Sequence, residues 1–144
     1  MAKLRVLFVC VHNSARSQLA EALLNTYHGE KFEAESAGFE PGELNPLVVK
    51  VLHEIDIDIS GNSTDRVFDF FRQGRRYDYV ITVCDESQGE KCPIFPGFSK
   101  RLQWSFEDPS VLEGTEAEKL VRVRNIRDKI KAKIAEWADE LKRS

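Results

Sequence analysis

Residues 4–17 read LRVLFVCVHNSARS, and this stretch decides the fold. Apart from Arg5, its first six residues are apolar and often β-branched, which is typical of a short strand buried on both faces of a parallel sheet. A polar loop follows, and then Leu19, Leu23 and Tyr27 recur every four residues. That spacing predicts a helix with one core-facing stripe. The chain therefore opens with a strand, a loop and a helix.

The same alternation continues through most of the chain. A second strand is predicted at residues 32–37, and Asn45-Pro46 supplies an N-cap and a first-turn proline for a second helix. The pattern predicts an α/β fold with an open sheet, helices on both faces and a single domain, residues 1–144. The remaining predictions are an apolar face of Leu47, Val51 and Ile55 on the second helix, a helix capped by Asp65 with Val67, Phe68, Phe70 and Phe71 as its apolar members, strands at 79–83 and 102–104, and a C-terminal helix with Leu120, Val123, Ile126, Ile130, Ile134, Trp137 and Leu141 on one face.

Composition excludes several classes of function. With 21 basic and 24 acidic residues among 144, the net charge is −3, which disfavours a nucleic-acid-binding surface. The longest apolar run, from Val6 to Val11, is far too short to span a membrane, and we expect no signal peptide because the chain does not open with a basic region, an apolar stretch and a small-residue cleavage site. We therefore expect a cytoplasmic protein with no membrane partner. In a reducing compartment its three cysteines indicate reactive thiols or a metal before structural disulfides.

The loop after the first strand carries the candidate chemistry. Cys10 ends the strand, and Arg16 begins the helix six positions later. Ligands bind beyond the carboxyl ends of strands in open α/β sheets, and helix N-termini bind anions. Such a loop can turn its N–H groups toward a tetrahedral oxyanion while Arg16 adds a bidentate fork. The same field favours the thiolate of Cys10, to which Ser17 could donate. Because the loop has no glycine, Asn13 is the candidate for a left-handed residue.

Simpler interpretations of these residues stay open. Cys10 could be an ordinary buried cysteine at a strand end, since free cysteine is among the most buried residue types. His12 could carry protons, but a solvent-facing loop histidine is the commoner case. Zinc is disfavoured because the three histidines and three cysteines lack a short Cys-x-x-Cys pair. A purely structural pair of Cys84 and Cys92 is the other alternative.

Residues 9–17, VCVHNSARS, resemble the oxyanion loop of the low-molecular-weight protein tyrosine phosphatase superfamily, and the likeness is closest to the arsenate reductases of that fold. The resemblance covers nearly the whole chain in order. It implies a four-stranded parallel sheet flanked by helices, with the loop at the head of the first strand. It also implies that the oxyanion is bound by Val11, His12, Asn13, Ser14, Ala15 and Arg16. Further matches are Gln18, Ala20-Glu21, Ser36-Ala37-Gly38, Asp58-Ile59-Ser60, Cys84, Cys92-Pro93 and Asp108-Pro109.

For a reductase, the resemblance implies a relay of three cysteines. Cys10 attacks arsenate with proton help from Asp108, and Cys84 then attacks Cys10 so that arsenite leaves. Cys92 next attacks Cys84, and the resulting disulfide is displayed at the surface for thioredoxin. Seven polar or small residues separate Cys84 from Cys92, slightly more than is typical of these reductases, and they suit a loop that presents a disulfide to a protein partner. Ser17 would assist the Cys10 thiolate.

Two other functions fit the same residues. A low-molecular-weight phosphatase would need only Cys10, Arg16 and Asp108, with Asp108 as general acid. Ser110 follows Asp108-Pro109 where the phosphatases often carry an aromatic residue, which favours a small inorganic substrate such as arsenate, with phosphate or sulfate as mimics. A non-enzymatic oxyanion-binding or redox-sensing regulator is the third reading. In each case we expect a monomer.

Oxygen-bearing residues also match a potassium site found in some of these reductases. No tightly bound cofactor is expected beyond that ion, which would brace the loop. Ser63 stands where threonine is usual, and helix capping is the alternative role for Ser63 and Asp65. The matching positions are Asn13, Glu21, Ser36, Ser63 and Asp65.

Overall fold

A sheet of four parallel strands lies at the centre of the computed structural model, which describes residues 3–84 and 100–143. Within these residues the strand order is β2-β1-β3-β4, so β1 is flanked on both sides. The predicted four-stranded parallel sheet is therefore confirmed. The strands are β1 (Leu4–Cys10), β2 (Phe32–Gly38), β3 (Tyr79–Thr82) and β4 (Lys100–Gln103).

The helices cover the two faces of the sheet unequally. On one face Val6 and Phe8 of β1 belong to a large apolar cluster shared with three helices, and on the other face Leu7 and Val9 belong to a smaller cluster completed by Val67. This alternation along β1 confirms a strand buried on both sides. The three helices on the larger face are α1 (Arg16–His28), α2 (Pro46–His53) and α4 (Glu116–Arg143), and α3 (Val67–Arg72) covers the other face.

Local sequence signals explain where α2 and α4 lie. Asn45 caps α2 by accepting the Leu47 N–H at 2.9 Å, and Pro46 occupies the first turn, as predicted. The predicted C-terminal stripe is also confirmed, because its five central members are buried and the two terminal ones are partly buried against the same cluster. Those five are Val123, Ile126, Ile130, Ile134 and Trp137.

Four predictions about local packing were wrong. Tyr27 is exposed and lies against Lys131, because α1 turns that position away from the sheet. Phe68 and Phe71 of α3 are exposed by 55% and 45%, because a helix of six residues can bury only one narrow face. Asp65 does not cap α3: the N-cap position is Arg66, which makes no side-chain capping bond. The last predicted strand lies at Lys100–Gln103, two residues earlier at its start than expected.

The carboxyl edge of the sheet gathers the candidate residues. β1 ends at Cys10 and β2 at Gly38, while Cys84 comes two residues after β3 and Asp108 five residues after β4. Parallel strands place all their carboxyl ends at one edge, so residues from the whole chain meet there. None of the helices among residues 3–84 and 100–143 is both long and apolar enough to cross a membrane.

Candidate active site

The loop of residues 11–15 is held by its carbonyl groups. Three of these carbonyls accept backbone N–H groups from the β2–α2 connection, which we call the strap (residues 39–45). Val11 accepts from Glu40 at 2.9 Å, and His12 accepts from Gly42 at 3.0 Å. The third bond joins Ser14 to Asn45 at 2.9 Å.

The orientation of these carbonyls fixes the direction of the loop's N–H groups. In a planar trans peptide, the C=O of one residue and the N–H of the next point in opposite directions. With the carbonyls directed at the strap, the N–H groups of His12, Asn13 and Ala15 point the other way, toward the centre of the loop. The N-terminus of α1 adds the N–H groups of its first turn, where Ala15 makes no side-chain cap and no acidic residue is present. This arrangement can hold a tetrahedral oxyanion, and we call the loop the cradle.

Asn13 has the left-handed conformation that the sequence predicts, with φ of 54°. The loop turns here against Gly38, so closely that a Cβ atom on Gly38 would lie 2.7 Å from the Asn13 nitrogen. The side chain of Asn13 is fully buried, and its Oδ1 accepts the Asp65 N–H at 2.8 Å and Gln18 Nε2 at 3.3 Å. These bonds hold a strained position from two later parts of the chain.

Cys10 receives two hydrogen bonds at its sulfur. The Asn13 N–H donates at 3.1 Å, and Ser17 Oγ lies 2.8 Å from Sγ. Asn13 Nδ2 donates to Ser17 Oγ at 2.8 Å, which leaves the hydroxyl proton of Ser17 for the sulfur. Both bonds therefore favour the thiolate, since a charged acceptor forms the stronger bond. Cys10 is a free thiol, and only 3% of its surface is exposed.

Arg16 joins the cradle to the loop after β4. Its guanidinium donates to the Phe106 carbonyl at 3.1 Å and lies 3.6 Å from Asp108 Oδ2. Arg16 is almost completely buried, whereas the carboxyl of Asp108 remains partly open to solvent. Asp108 also accepts from the Ser110 N–H and Oγ at 2.9 and 2.7 Å. The structure thus brings the predicted acid next to the predicted arginine.

Cys84 lies at the end of the strand beside that of Cys10. Val9 is opposite Thr82 in the parallel register, so Cys84 follows one position beyond the partner of Cys10. Cys84 is fully buried in the same apolar cluster as Cys10. This position differs from the disulfide at the surface that the resemblance implies for the last step of the relay. It is disulfide-bonded while Cys10 is free, so these two sulfurs are not joined to each other. The predicted third cysteine, Cys92, lies outside the described residues.

His12 faces solvent at the head of the cradle, as its loop position suggests. Its Nδ1 lies 2.9 Å from the Glu40 carbonyl, so the ring is fixed to the strap by an Nδ1–H donor. This contact gives the His12 side chain a role in holding the loop. The backbone of His12 still contributes its N–H to the cradle.

Four of the five predicted potassium ligands form two hydrogen-bonded pairs, and the fifth is the side-chain amide of Asn13. Ser36 Oγ donates to Glu21 at 3.3 Å, and Ser63 Oγ donates to Asp65 at 3.1 Å. Burial raises the pKa of Glu21 to about 7, and the negative charges of Asp65 and Glu35 add to this effect. Glu21 and Asp65 are therefore close enough to repel each other. The side-chain oxygen of Asn13 does not fit a ligand role here, because two N–H donors already occupy it.

Sequence reasoning missed the backbone groups that complete the site. The strap N–H groups and the Phe106 carbonyl have no side-chain signature, because every residue type has the same peptide group. Gly38 and Gly42 were the available signals, since a Cβ on Gly38 would strike the cradle and one on Gly42 would contact His12. Glycine often marks such a close approach between two segments of backbone.

The part of the chain that contains the cradle and Asp108 matches a known protein family. The family model "Low molecular weight phosphotyrosine protein phosphatase" matches residues 5–144. This chain belongs to that phosphatase family. A curated arsenate reductase from Shouchella clausii (strain KSM-K16) is 38% identical over 140 residues, covering 96% of this chain and 98% of that protein.

Solved structures with this phosphatase-family fold show the same likeness. An arsenate reductase in the phosphate binding state superposes with a TM-score of 0.76 at 27% identity, covering 95% of this chain and 98% of its own. A thioredoxin-dependent arsenate reductase from Corynebacterium glutamicum gives a TM-score of 0.61 at 34% identity, covering 92% of this chain and 62% of its own. The similarity therefore spans nearly all of this chain.

Proposed function

We propose that this chain reduces arsenate to arsenite, with Cys10 as the nucleophile and thioredoxin as the reductant. The observation that carries the proposal is the second buried sulfur, Cys84, beside Cys10 at the carboxyl edge. Neighbouring strands lie about 4.8 Å apart, and a disulfide joins Cα atoms roughly 4.4–6.8 Å apart. The spacing of β1 and β3 therefore suits disulfide exchange between them, whereas a hydrolase has no need of a second thiol.

The first step forms a bond between sulfur and arsenic. Arsenate binds with its oxygens on the loop N–H groups and on the guanidinium of Arg16, which turns from its contact with Asp108. The Cys10 thiolate, held by Ser17, attacks arsenic. The As–O bond to the leaving oxygen breaks, and Asp108 supplies the proton with which that oxygen leaves as water.

The second step reduces arsenic by two electrons. The Cys84 thiolate attacks the Cys10 sulfur, the S–As bond breaks, and its electron pair stays on arsenic, which leaves as arsenite. A Cys10–Cys84 disulfide remains. Cys92 then attacks Cys84 and releases the Cys10 thiolate for another cycle.

Thioredoxin would supply the two electrons that close the cycle. It attacks a disulfide through a mixed disulfide, becomes oxidised itself, and returns both relay cysteines to thiols. The thioredoxin-dependent reductase from Corynebacterium glutamicum, at 34% identity, supports this choice. The proposed setting is the cytoplasm, and the proposed unit is a monomer.

Mutation of each cysteine tests the relay. Arsenite formation is followed with thioredoxin, thioredoxin reductase and NADPH, beside hydrolysis of an aryl phosphate. Cys10→Ser is expected to abolish both reactions, because both need the same nucleophile. Cys84→Ser and Cys92→Ser should stop arsenate turnover but leave hydrolysis largely intact. Wild-type arsenate turnover in either accessory variant would disprove the relay. Steady arsenite production by the wild type would exclude a purely regulatory role.

A second activity, slow phosphatase action, is favoured by the position of Asp108. Its Oδ2 faces Arg16 at 3.6 Å, as expected for an acid that protonates an oxygen leaving the cradle. Asp108→Asn is expected to slow aryl phosphate hydrolysis by roughly 10²–10⁴-fold, the usual contribution of general acid–base catalysis. The loss should shrink for leaving groups that need no proton.

We also propose that a potassium ion stabilises this region. Glu21, Ser36 and Asp65 would hold it through oxygen atoms, which suit a hard cation, with Ser63 contributing through its contact with Asp65. The raised pKa of the buried Glu21 supports this role, because a cation beside the carboxylate would offset its burial. When bound, the ion would supply positive charge that stabilises these carboxylates. The potassium dependence of the free energy of unfolding tests this proposal.

A further inference from the structure

The two oxygens of the Asp108 carboxyl have different partners. Oδ1 accepts two hydrogen bonds from Ser110, one from its N–H at 2.9 Å and one from its Oγ at 2.7 Å. Oδ2 faces the guanidinium of Arg16 at 3.6 Å and therefore faces the cradle. Ser110 itself is exposed and makes both contacts from the short 3₁₀ turn Pro109–Val111.

This asymmetry decides where a proton can sit on the acid. A carboxyl oxygen that accepts from both an N–H and an O–H has both lone pairs occupied. The backbone N–H cannot become an acceptor, so a proton on Oδ1 would meet a donor. When Arg16 turns to the bound oxyanion, its guanidinium leaves Oδ2, so the protonated form of Asp108 carries its hydrogen on Oδ2, the oxygen directed at the leaving group.

We propose that Ser110 is a positioning residue for the acid step, because its two donors direct the transferable proton of Asp108 to Oδ2. The inference rests on the proposed role of Asp108 as the acid. In the step, the Oδ2–H bond breaks, the proton passes to the leaving oxygen, and that oxygen keeps the electron pair of its bond to arsenic or phosphorus. Ser110 remains bound to Oδ1 throughout and does not touch the substrate.

The chain contains a matched pair that serves as a control. Asp58 accepts the Ser60 N–H at 2.9 Å, and hydrogen bonding from Ser60 lowers the pKa of Asp58. The spacing and the backbone donor are the same as in Asp108 and Ser110, but Asp58 is exposed, whereas Asp108 faces Arg16. Ser60→Ala therefore removes a serine hydroxyl at the same spacing from an aspartate without touching Asp108.

The experiment compares Ser110→Ala, Ser110→Thr and Ser60→Ala with the wild type. Rates are measured on 4-nitrophenyl phosphate, whose leaving group needs little proton help, on phenyl phosphate, whose leaving group needs it, and in single turnovers of arsenate. Ser110→Ala is expected to lower the rate on phenyl phosphate and arsenate by about 10-fold, and on 4-nitrophenyl phosphate by less than about 2-fold. Ser110→Thr should restore the wild-type rates, and Ser60→Ala should leave them unchanged.

The pH profile separates positioning from a general structural effect. Loss of a hydrogen-bond donor destabilises the ionised form of Asp108, so the carboxyl should stay protonated to higher pH. The alkaline limb of the single-turnover pH profile should therefore move to higher pH in Ser110→Ala. If Ser110→Ala lowered the rate equally on all substrates and left the alkaline limb of the pH profile in place, the inference would be overturned. Unchanged rates in Ser110→Ala would also overturn it. Asp108→Asn is measured in parallel: if it shows no dependence on the leaving group and no change in the arsenate profile, the acid role itself fails. If aryl phosphates are not hydrolysed at all, the arsenate rates and profile decide the inference.

Discussion

Gly38→Ala tests whether the close contact between the end of β2 and the cradle sets the geometry of the proposed oxyanion site. A Cβ atom on residue 38 would lie 2.7 Å from the Asn13 nitrogen and 2.8 Å from both the His12 carbonyl carbon and the Val11 oxygen. All three atoms are backbone, so no flexible side chain can move aside. The φ angle at Gly38 is not positive, so alanine is accommodated there apart from this contact.

The expected loss follows from how far the cradle must move. Ordinary contact begins near 3.4 Å, so the loop must retreat by about 0.6–0.7 Å. A misplacement of about 1 Å at a reacting group can cost roughly 10²-fold in rate, so we expect a loss of about 20-fold in kcat/KM for arsenate. Overpacking of this size also lowers the free energy of unfolding by roughly 1–3 kcal/mol.

The assay measures kcat/KM for arsenate and the affinity for phosphate, with urea unfolding as the check on folding. Gly61→Ala is the matched control, because a Cβ at Gly61 would meet nothing within 4 Å and φ is not positive there. Wild-type affinity and turnover in a folded Gly38→Ala protein would refute the argument that the contact with the end of β2 positions the cradle.

Two further predictions concern the network behind the cradle. The folded-state pKa of Glu21, about 7, lies above its ordinary 4.5, so the folded protein binds the proton more tightly, and stability should fall by about 3 kcal/mol as pH rises from 4.5 through 7. In potassium-free buffer, Glu21→Gln should remove this pH dependence of the free energy of unfolding, measured with urea. Potassium should reduce the pH dependence in the wild type only. An unchanged pH dependence in Glu21→Gln would assign it to another group. Ser17→Ala removes a donor from the Cys10 sulfur, so alkylation by iodoacetamide near pH 6 should slow by about 10-fold, and Ser17→Thr should recover it. Equal alkylation rates in Ser17→Ala and wild type would show that Asn13 alone holds the thiolate.

The sequence predicts the fold well where burial and periodicity coincide. β1 is buried on both faces, so its continuous apolar run is sufficient to predict the strand. α4 carries a long apolar stripe, so the spacing of three or four residues is sufficient to predict the helix. The prediction fails at α3, where Phe68 and Phe71 look like core residues but lie outside. A pattern reports which residues are apolar, whereas the length of the element and the packing of its neighbours decide which are covered.

In the candidate site, too, some features are predicted from the sequence and others are not. Cys10, Asn13, Arg16 and Ser17 are predicted because the proposed chemistry depends on their side chains, and the structure places them around the loop between β1 and α1. The contacts of Arg16 with Phe106 are not predicted, because they join a side chain to a peptide carbonyl 90 positions away. Only the fold brings such a pair together, and a carbonyl leaves no trace in the residue type.

The sequence positions of the site also bear on the order in which it is made. The thiol, its cradle and the strap all lie within the first 45 residues, whereas the second anchor of Arg16 and the carboxyl it faces come from residues 106 and 108. Domains acquire structure as the chain leaves the ribosome, beginning with the N-terminal part. A half-synthesised chain therefore contains the proposed nucleophile and its cradle while it still lacks the proposed proton donor, and β1 still lacks its neighbour β3. Translation thus completes the chemistry of this protein only after most of its length has been made.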